Sequence, residues 1–245
     1  MSKKPFKFKE FTINQDQCAM KIGTDSVLLG AWTSIDENPF SILDIGAGTG
    51  VLSLMLAQRS NAELIDAIEI DDNAFEQCVD NFEQSSWGDR LFCYHASLEE
   101  FAEEIEDEYD LIICNPPFYS EDYKTKNDQR DLARFQDAMP FEHLLKNVSM
   151  LLSENGLFSV IIPFKEEALF ISLASKYNLF LNRKLHVKGN PRSEIKRSLI
   201  EFSFRAMPAG RQESETIIES LIIETERHQY TEDYTNLTKD FYLKM

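Results

Sequence analysis

The chain has 245 residues, 43% hydrophobic and 27% charged, an ordinary composition for a soluble globular protein with length enough for one good-sized α/β core. Its net charge of −17 argues against broad, non-specific attraction to a polyanion. No apolar run follows the first lysines or reaches membrane-spanning length, and Cys18, Cys78, Cys93 and Cys114 and the four histidines show no disulfide framework or metal spacing; a reduced, cytoplasmic protein without a metal is expected.

Residues 16–32 (DQCAMKIGTDSVLLGAW) place Val27, Leu28 and Ala31 at helical spacing, which predicts a helix entered through Thr24 and Asp25, with Thr24 as cap. From residue 41 short apolar runs alternate with helical patterns, the signature of a parallel sheet with crossover helices. SILDI (41–45) is a buried strand, VLSLMLAQR (51–59) a helix and LIDAIEI (64–70) a strand. DNAFEQCVDNF (72–82) is a helix with Asp72 as N-cap, and LFCYH (91–95) is a strand. Residues 97–106 form a helix starting at Ser97, with Leu98, Phe101, Ala102 and Ile105 as its apolar stripe. YDLIIC (109–114) is a strand ended by two prolines, and residues 119–138 form a long polar loop. HLLKNVSMLL (143–152) and EEALFISLASKYN (166–178) are helices; LFSVIIP (157–163), FLNRKLHV (180–187) and SLIEFSF (198–204) are strands. TIIESLIIE (216–224) fits helix or strand, with strand preferred. There is no internal repeat or second core, so one domain is expected: an N-terminal extension over 1–40, a core over 41–205 and a C-terminal segment over 206–245.

The charge is uneven. Residues 99–110 carry eight acids in twelve positions, which reads as a solvated helix face. Residues 183–197 hold six Lys or Arg against Glu194 alone, and Lys3, Lys4, Lys7 and Lys9 stand in the first nine positions without an acid. A localised basic face with an acidic back remains compatible with RNA.

Asp44-Ile-Gly46-Ala-Gly48-Thr-Gly50 joins the first core strand to its helix, where glycines permit a tight turn and a close backbone approach at a helix N-terminus. The dinucleotide fingerprint would put glycine at Val51; DxGxGxG instead resembles motif I of the S-adenosylmethionine methyltransferases. Glu69, 19 positions beyond Gly50, closes the second core strand, where a carboxylate can accept both ribose hydroxyls. Asn115-Pro116-Pro117-Phe118 resembles the [DNS]PP[YFW] motif of amino-group methyltransferases. The chemistry accounts for the residue types. An adenine N6 lone pair is delocalised and a poor nucleophile. The Asn115 amide oxygen and the Pro116 carbonyl can accept its two N–H bonds and draw the nitrogen towards tetrahedral geometry, while Phe118 stacks on the base. Positioning then supplies much of the acceleration, and no general base is needed before transfer.

Ahead of these motifs, the helix from Thr24 is either simple packing or a lid on the methionine end of the cofactor, with Gly23 and Thr24 near its carboxylate and Lys21 nearby. The third core strand ends in His95-Ala96-Ser97 where many families place an adenine-binding Asp. Ser97, or the N–H after it, takes that role, or Ser97 only caps its helix.

FKFKEFTINQDQCAMKIGTDSVLLGAW (6–32), LDIGAGTG, NPPF and YTEDYTNLTKDFYLKM (230–245) together resemble the bacterial tRNA(Val) adenine N6-methyltransferase family over essentially the whole chain. The resemblance implies an α/β class I methyltransferase (Rossmann-like) fold: a central, mostly parallel seven-stranded sheet with an antiparallel last strand and helices on both faces. It implies S-adenosylmethionine as methyl donor and, as substrate, the adenosine 3′ of the anticodon in tRNA; no obligate protein partner is evident in the sequence. RNA contacts are then expected from Lys124, Lys126, Arg130 and Arg134 in the long loop and from Lys188, Arg192, Lys196 and Arg197 in the basic turn. A glutamine N5-methyltransferase acting on a release factor uses a similar NPP[YF] motif and would suit the acidic balance. A DNA adenine methyltransferase would need a target-recognition domain, and none is visible. A non-catalytic RNA-binding module would have no need of an intact NPPF.

Overall fold

A computed structural model describes residues 4–117, 139–204 and 216–245. Phe118, Lys124, Lys126, Arg130 and Arg134 lie outside the described residues.

The centre is a sheet of eight strands. Five are the crossover strands β3 (Ser41–Ile45), β4 (Leu64–Glu69), β5 (Leu91–His95), β6 (Tyr109–Cys114) and β7 (Leu152–Pro163). β8 (Phe180–Lys188), β9 (Ile195–Ser203) and β10 (Ile217–Ile222) complete it in the order β10-β8-β9-β7-β6-β3-β4-β5. All neighbours pair parallel except β9, which runs antiparallel to both β7 and β8. The antiparallel strand is as expected, but the count of seven is corrected to eight. Ile217–Ile222 is a strand, and it extends the sheet beyond β8, Ile222 opposite Lys188.

Because helices cover both faces, the central strands are mostly apolar and buried rather than alternating; all five residues of β3 are buried. One face carries α1 (Thr24–Trp32), α2 (Val51–Arg59) and α3 (Asp72–Glu83), with Leu28, Leu54, Met55 and Phe82 in one apolar cluster. The other carries α4 (Leu98–Glu104), α5 (Phe141–Leu151) and α6 (Glu167–Ala174), around Phe101, Leu145 and Phe170. The acids of α4 at 99, 100, 103 and 104 are exposed, a solvated face.

Two caps differ from expectation by one residue. α3 is capped by Asp71, which accepts from the Ala74 N–H at 2.9 Å, so Asp72 is already helical. α1 is entered through Gly23 in extended conformation with no side-chain cap, and Thr24 is its first residue rather than its cap.

The two ends of the described chain meet beside α1. β1 (Phe6–Lys7) and β2 (Thr12–Ile13) form a short antiparallel pair. β11 (Glu224–Glu226) and β12 (Gln229–Tyr230) lead into α7 (Glu232–Thr238), which packs on α1. Phe8 bridges to Tyr242, the Lys9 N–H donates to Phe241 O at 2.9 Å, and Phe241 is buried. Phe8 stacks on Phe11 and Tyr242 at this junction, with Phe6 tilted against Phe8. The terminal LTKDFYLK stretch therefore fastens the N-terminal segment to the core.

Candidate active site

β3 and β6 are adjacent and parallel, with Ile45 opposite Cys114, so the glycine turn and the Asn115-Pro116-Pro117 turn leave the same edge of the sheet side by side. This carboxyl edge is where open α/β sheets bind ligands.

The glycine turn is built from backbone. Gly46, Gly48 and Gly50 all have positive φ, at 70, 56 and 76°. A Cβ on Gly50 would also stand 2.5 Å from Phe82 Cε1 and 2.9 Å from Cys78 Sγ, so both conformation and space require glycine there. The N–H groups of Gly46 and Ala47 donate to Ile68 O, each at 3.0 Å, tying the turn to β4. The Gly48 N–H donates to Glu69 Oε2 at 2.8 Å, while Glu69 Oε1 accepts from the N–H groups of Ile70 and Asp71, each at 2.9 Å. Three backbone donors thus fix the Glu69 carboxylate at the lip of the turn. Ile70 beside it is 68% exposed, an apolar side chain at the lip of the turn that sequence reading did not single out.

Asp44 lies fully buried beneath the turn. Its Oδ2 accepts from the Ser53 hydroxyl at 2.7 Å and the Ser53 N–H at 3.2 Å, and its Oδ1 has no partner among the described residues. Burial pushes its carboxyl up to about 7, the Ser53 hydrogen bonds oppose the rise and Glu69 adds to it. The thiols of Cys78 and Cys114 are raised by burial, and Cys18 is pushed up to about 12 by burial and by Glu69; none of the three is a nucleophile near neutral pH.

At the acceptor turn Asn115 is half-buried and Pro116 buried. The Asn115 amide donates from Nδ2 to Ser26 Oγ on α1 at 2.9 Å. The first turn of α1 is itself tied to the sheet by Arg197 Nε, which donates to Asp25 Oδ2 at 2.8 Å.

The N-terminal segment closes one side. Asn81, buried on α3, donates to Thr49 O in the glycine turn and to Asn14 O, both at 2.9 Å, and accepts from the Asn14 N–H. Gln77, one turn earlier, accepts from the Gln17 N–H at 3.0 Å. These two polar side chains occupy core-facing positions of α3, a signal legible in its periodicity. Lys21 Nζ donates to Gln15 O at 2.7 Å, and Gly23 and Thr24 are exposed where α1 begins. Ser97 has a defined structural role: with Glu100 it forms a capping box that engages both its hydroxyl and its N–H. The next donor along is the first-turn N–H of Leu98, which no intrahelical acceptor can satisfy.

The methyltransferase small domain family matches residues 21–158. A relative from Flavobacterium johnsoniae named tRNA1(Val) (adenine(37)-N6)-methyltransferase is 62% identical over 240 residues, 98% of this chain and 100% of its own length. Relatives of the same name from Christiangramia forsetii and Bacteroides fragilis are 60% and 43% identical, each over 100% of both chains. The chain belongs to this methyltransferase family. Among solved structures, a protein from Agrobacterium tumefaciens described as a predicted O-methyltransferase shares the fold at a TM-score of 0.64 and 20% identity, over 89% of this chain and 96% of that one. The ribosomal protein L11 methylase of Lactobacillus delbrueckii does so at 0.51 and 15%, over 72% and 76%. S-adenosylmethionine is the methyl donor of this enzyme.

In this methyltransferase the basic segment 183–197 divides in two. Arg183 stacks on Trp32 at 4.0 Å and pairs with Glu201, Lys184 pairs with Glu167, and Arg197 pairs with Asp25. Lys188, Arg192 and Lys196 have no acidic partner within 4.0 Å among the described residues. They lie on or beside the β8–β9 turn, which reaches the carboxyl edge because Arg197 is opposite Pro163 at the end of β7. Arg192 also lines an open cleft of about 570 Å³ against Glu224–Arg227, which is mixed in charge and apart from the glycine turn. Among the described residues no helix is long and apolar enough to cross a membrane, and no group of three His, Cys, Asp or Glu is placed to hold a metal.

Proposed function

We propose that the enzyme methylates N6 of adenosine 37, beside the anticodon of a tRNA(Val), in the cytoplasm, with the whole chain acting as one methyltransferase unit. The observation that carries this reading is the Asn115-Pro116-Pro117 turn next to the glycine turn, with Nδ2 of Asn115 engaged and its Oδ1 left to accept. The names of the full-length relatives support a tRNA adenine as acceptor.

The residues fit the cofactor. Glu69, already oriented by three N–H donors, has lone pairs left for ribose hydroxyls. Asp44 Oδ1, buried and unpartnered, suits the α-ammonium group of the methionine end, and Ile70 suits the adenine face. Gly23, Thr24 and Lys21 stand where α1 begins, and the carboxylate end is assigned to them. Bound S-adenosylmethionine supplies an electrophilic sulfonium methyl. Asn115 Oδ1 and the Pro116 carbonyl accept the two N–H bonds of the adenine amine, which localises its lone pair; the product nitrogen then releases a proton to water. Phe118 is assigned the stacking role. A loop adenosine is unpaired and reaches this turn without breaking a duplex.

Incubation with tritiated S-adenosylmethionine tests the reading, with folded tRNA, ribosomal RNA and a release factor offered separately. Label should enter tRNA and map by mass spectrometry to position 37. Label on a protein glutamine, or in a helical stem, would overturn it.

A further inference from the structure

An asparagine side chain has an accepting end and a donating end, and half a turn about its last bond exchanges them. An amine acceptor presents N–H donors, so an Asn115 turned the wrong way would oppose donor to donor. The side chain must therefore be held with Oδ1 free to face the amine. Asparagine often settles it locally, its Oδ1 accepting the backbone N–H two residues on. That route is closed here, because the next two residues are Pro116 and Pro117, neither of which has an N–H. The same prolines leave Oδ1 uncaptured by its own turn.

The partner comes instead from 89 positions earlier in the chain. Ser26 Oγ accepts the Asn115 Nδ2–H at 2.9 Å. Ser26 is the third residue of α1, followed by Val27, Leu28 and Leu29, all buried, and preceded by Asp25, which holds Arg197 of β9. The hydroxyl is thus presented by an element fixed on both sides.

We propose that Ser26 is a positioning residue for methyl transfer: its hydroxyl, accepting from Nδ2, anchors the Asn115 side chain to α1 and holds Oδ1 in place for the acceptor amine. This rests on the reading of Asn115 as the amine's acceptor. Ser26 touches neither substrate nor reacting atoms in this role.

The test uses the full-length enzyme with folded tRNA. Ser26→Ala should lower kcat about tenfold, the orienting value of one hydrogen bond, with the tRNA KM and the S-adenosylmethionine Kd unchanged. Alanine suits a helix, so the variant should melt like wild type. Ser26→Thr keeps the hydroxyl and should restore kcat to within about twofold of wild type, far inside that tenfold loss. Unchanged kcat in Ser26→Ala, or a raised cofactor Kd with kcat intact, would each overturn the positioning role. Asn115→Ala, run in parallel, separates the two levels. If it retains turnover, the underlying reading fails; if it is inactive while Ser26→Ala is fully active, only this inference fails.

Discussion

The glycine turn after β3 and the acceptor turn after β6 leave neighbouring strands at one edge of the sheet, yet they are held in different ways. The glycine turn is fixed chiefly by backbone, through positive φ at Gly46, Gly48 and Gly50 and N–H bonds to Ile68 O, with the Glu69 carboxylate and the Asn81 amide as side-chain supports. The acceptor turn has two prolines and few donors of its own, and it takes its orientation from a side chain on α1. The first arrangement resists change through sterics and backbone conformation. The second can lose its geometry while the fold survives. Mutations should therefore separate chemistry from stability at one turn and combine them at the other.

Asn115→Ala should have the largest effect. Removal of one preorganised group from a reacting centre is worth roughly 10²–10³ in kcat, and the half-exposed position should leave melting temperature and S-adenosylmethionine affinity near wild type. Single-turnover rates alongside calorimetry decide it. A loss of cofactor affinity as large as the loss of rate would erase the contrast between the turns.

At the glycine turn the order is reversed. Gly50→Ala combines a left-handed conformation with a Cβ at 2.5 Å from Phe82, and should cost about 3 kcal/mol of stability. Gly48→Ala shares the positive φ but meets nothing within 4 Å, so about 1 kcal/mol is expected. Denaturant titration of the two variants measures the difference. Equal losses would mean that strain alone, and not the Phe82 contact, makes glycine necessary at Gly50.

Asp44 adds a dependence on pH. Its folded pKa of about 7 lies above the unfolded value near 3.8, so the native carboxyl keeps a proton that the unfolded chain releases. Stability from this group is complete below about pH 4 and falls as pH rises towards 7. Asp44→Asn removes that penalty; relative to wild type, the variant should gain on the order of 2–3 kcal/mol between pH 5 and pH 8. It should also bind S-adenosylmethionine more weakly, because the carboxylate that suits the ammonium group is gone, and wild-type affinity should weaken below pH 7. A stability difference independent of pH would rule out a neutral Asp44 in the free enzyme.

The same contrast governs what the sequence could reveal. β3 and β6 were legible at their observed bounds because strands buried on both faces read as apolar runs, and β5, though an exposed edge strand, is a short run of strand-forming residues. The glycine turn was legible because its requirements are local. Its supports were not: Asn81 and Gln77 had to be placed against Asn14 and Gln17 before their purpose was visible. The caps at Asp71 and Gly23 fell one residue from expectation because two acids, or a Gly-Thr pair, compete for one position. The last strand was preferred from its local pattern, but its place beyond β8 depends on pairing, and the Ser26–Asn115 bond joins residues 89 apart, so local pattern carries neither that placement nor that bond.

Charge gave the weakest reading, and it supports the smallest prediction. Lys188, Arg192, Lys196 and Arg197 read as one RNA-binding turn, but Arg197 faces Asp25, and Arg183 and Lys184 of the same basic segment face Glu201 and Glu167, acids that only folding brings near. Replacing Arg197 would disturb the first turn of α1 as well as any phosphate contact, so its loss cannot be assigned to RNA. Arg192 and Lys196 are exposed, lack an acidic partner among the described residues and lie at the carboxyl edge. Each phosphate contact contributes about −0.7 to −0.9 to the slope of log K against log salt. The double replacement of Arg192 and Lys196 by Ala should therefore flatten that slope by about one to two units, and leave kcat at saturating tRNA and cofactor affinity unchanged. With a net charge of −17 the enzyme has no bulk attraction for RNA to mask the loss, so filter binding between low and moderate salt should resolve it. An unchanged slope would place the phosphate contacts elsewhere, with the N-terminal Lys4, Lys7 and Lys9 the next residues to replace.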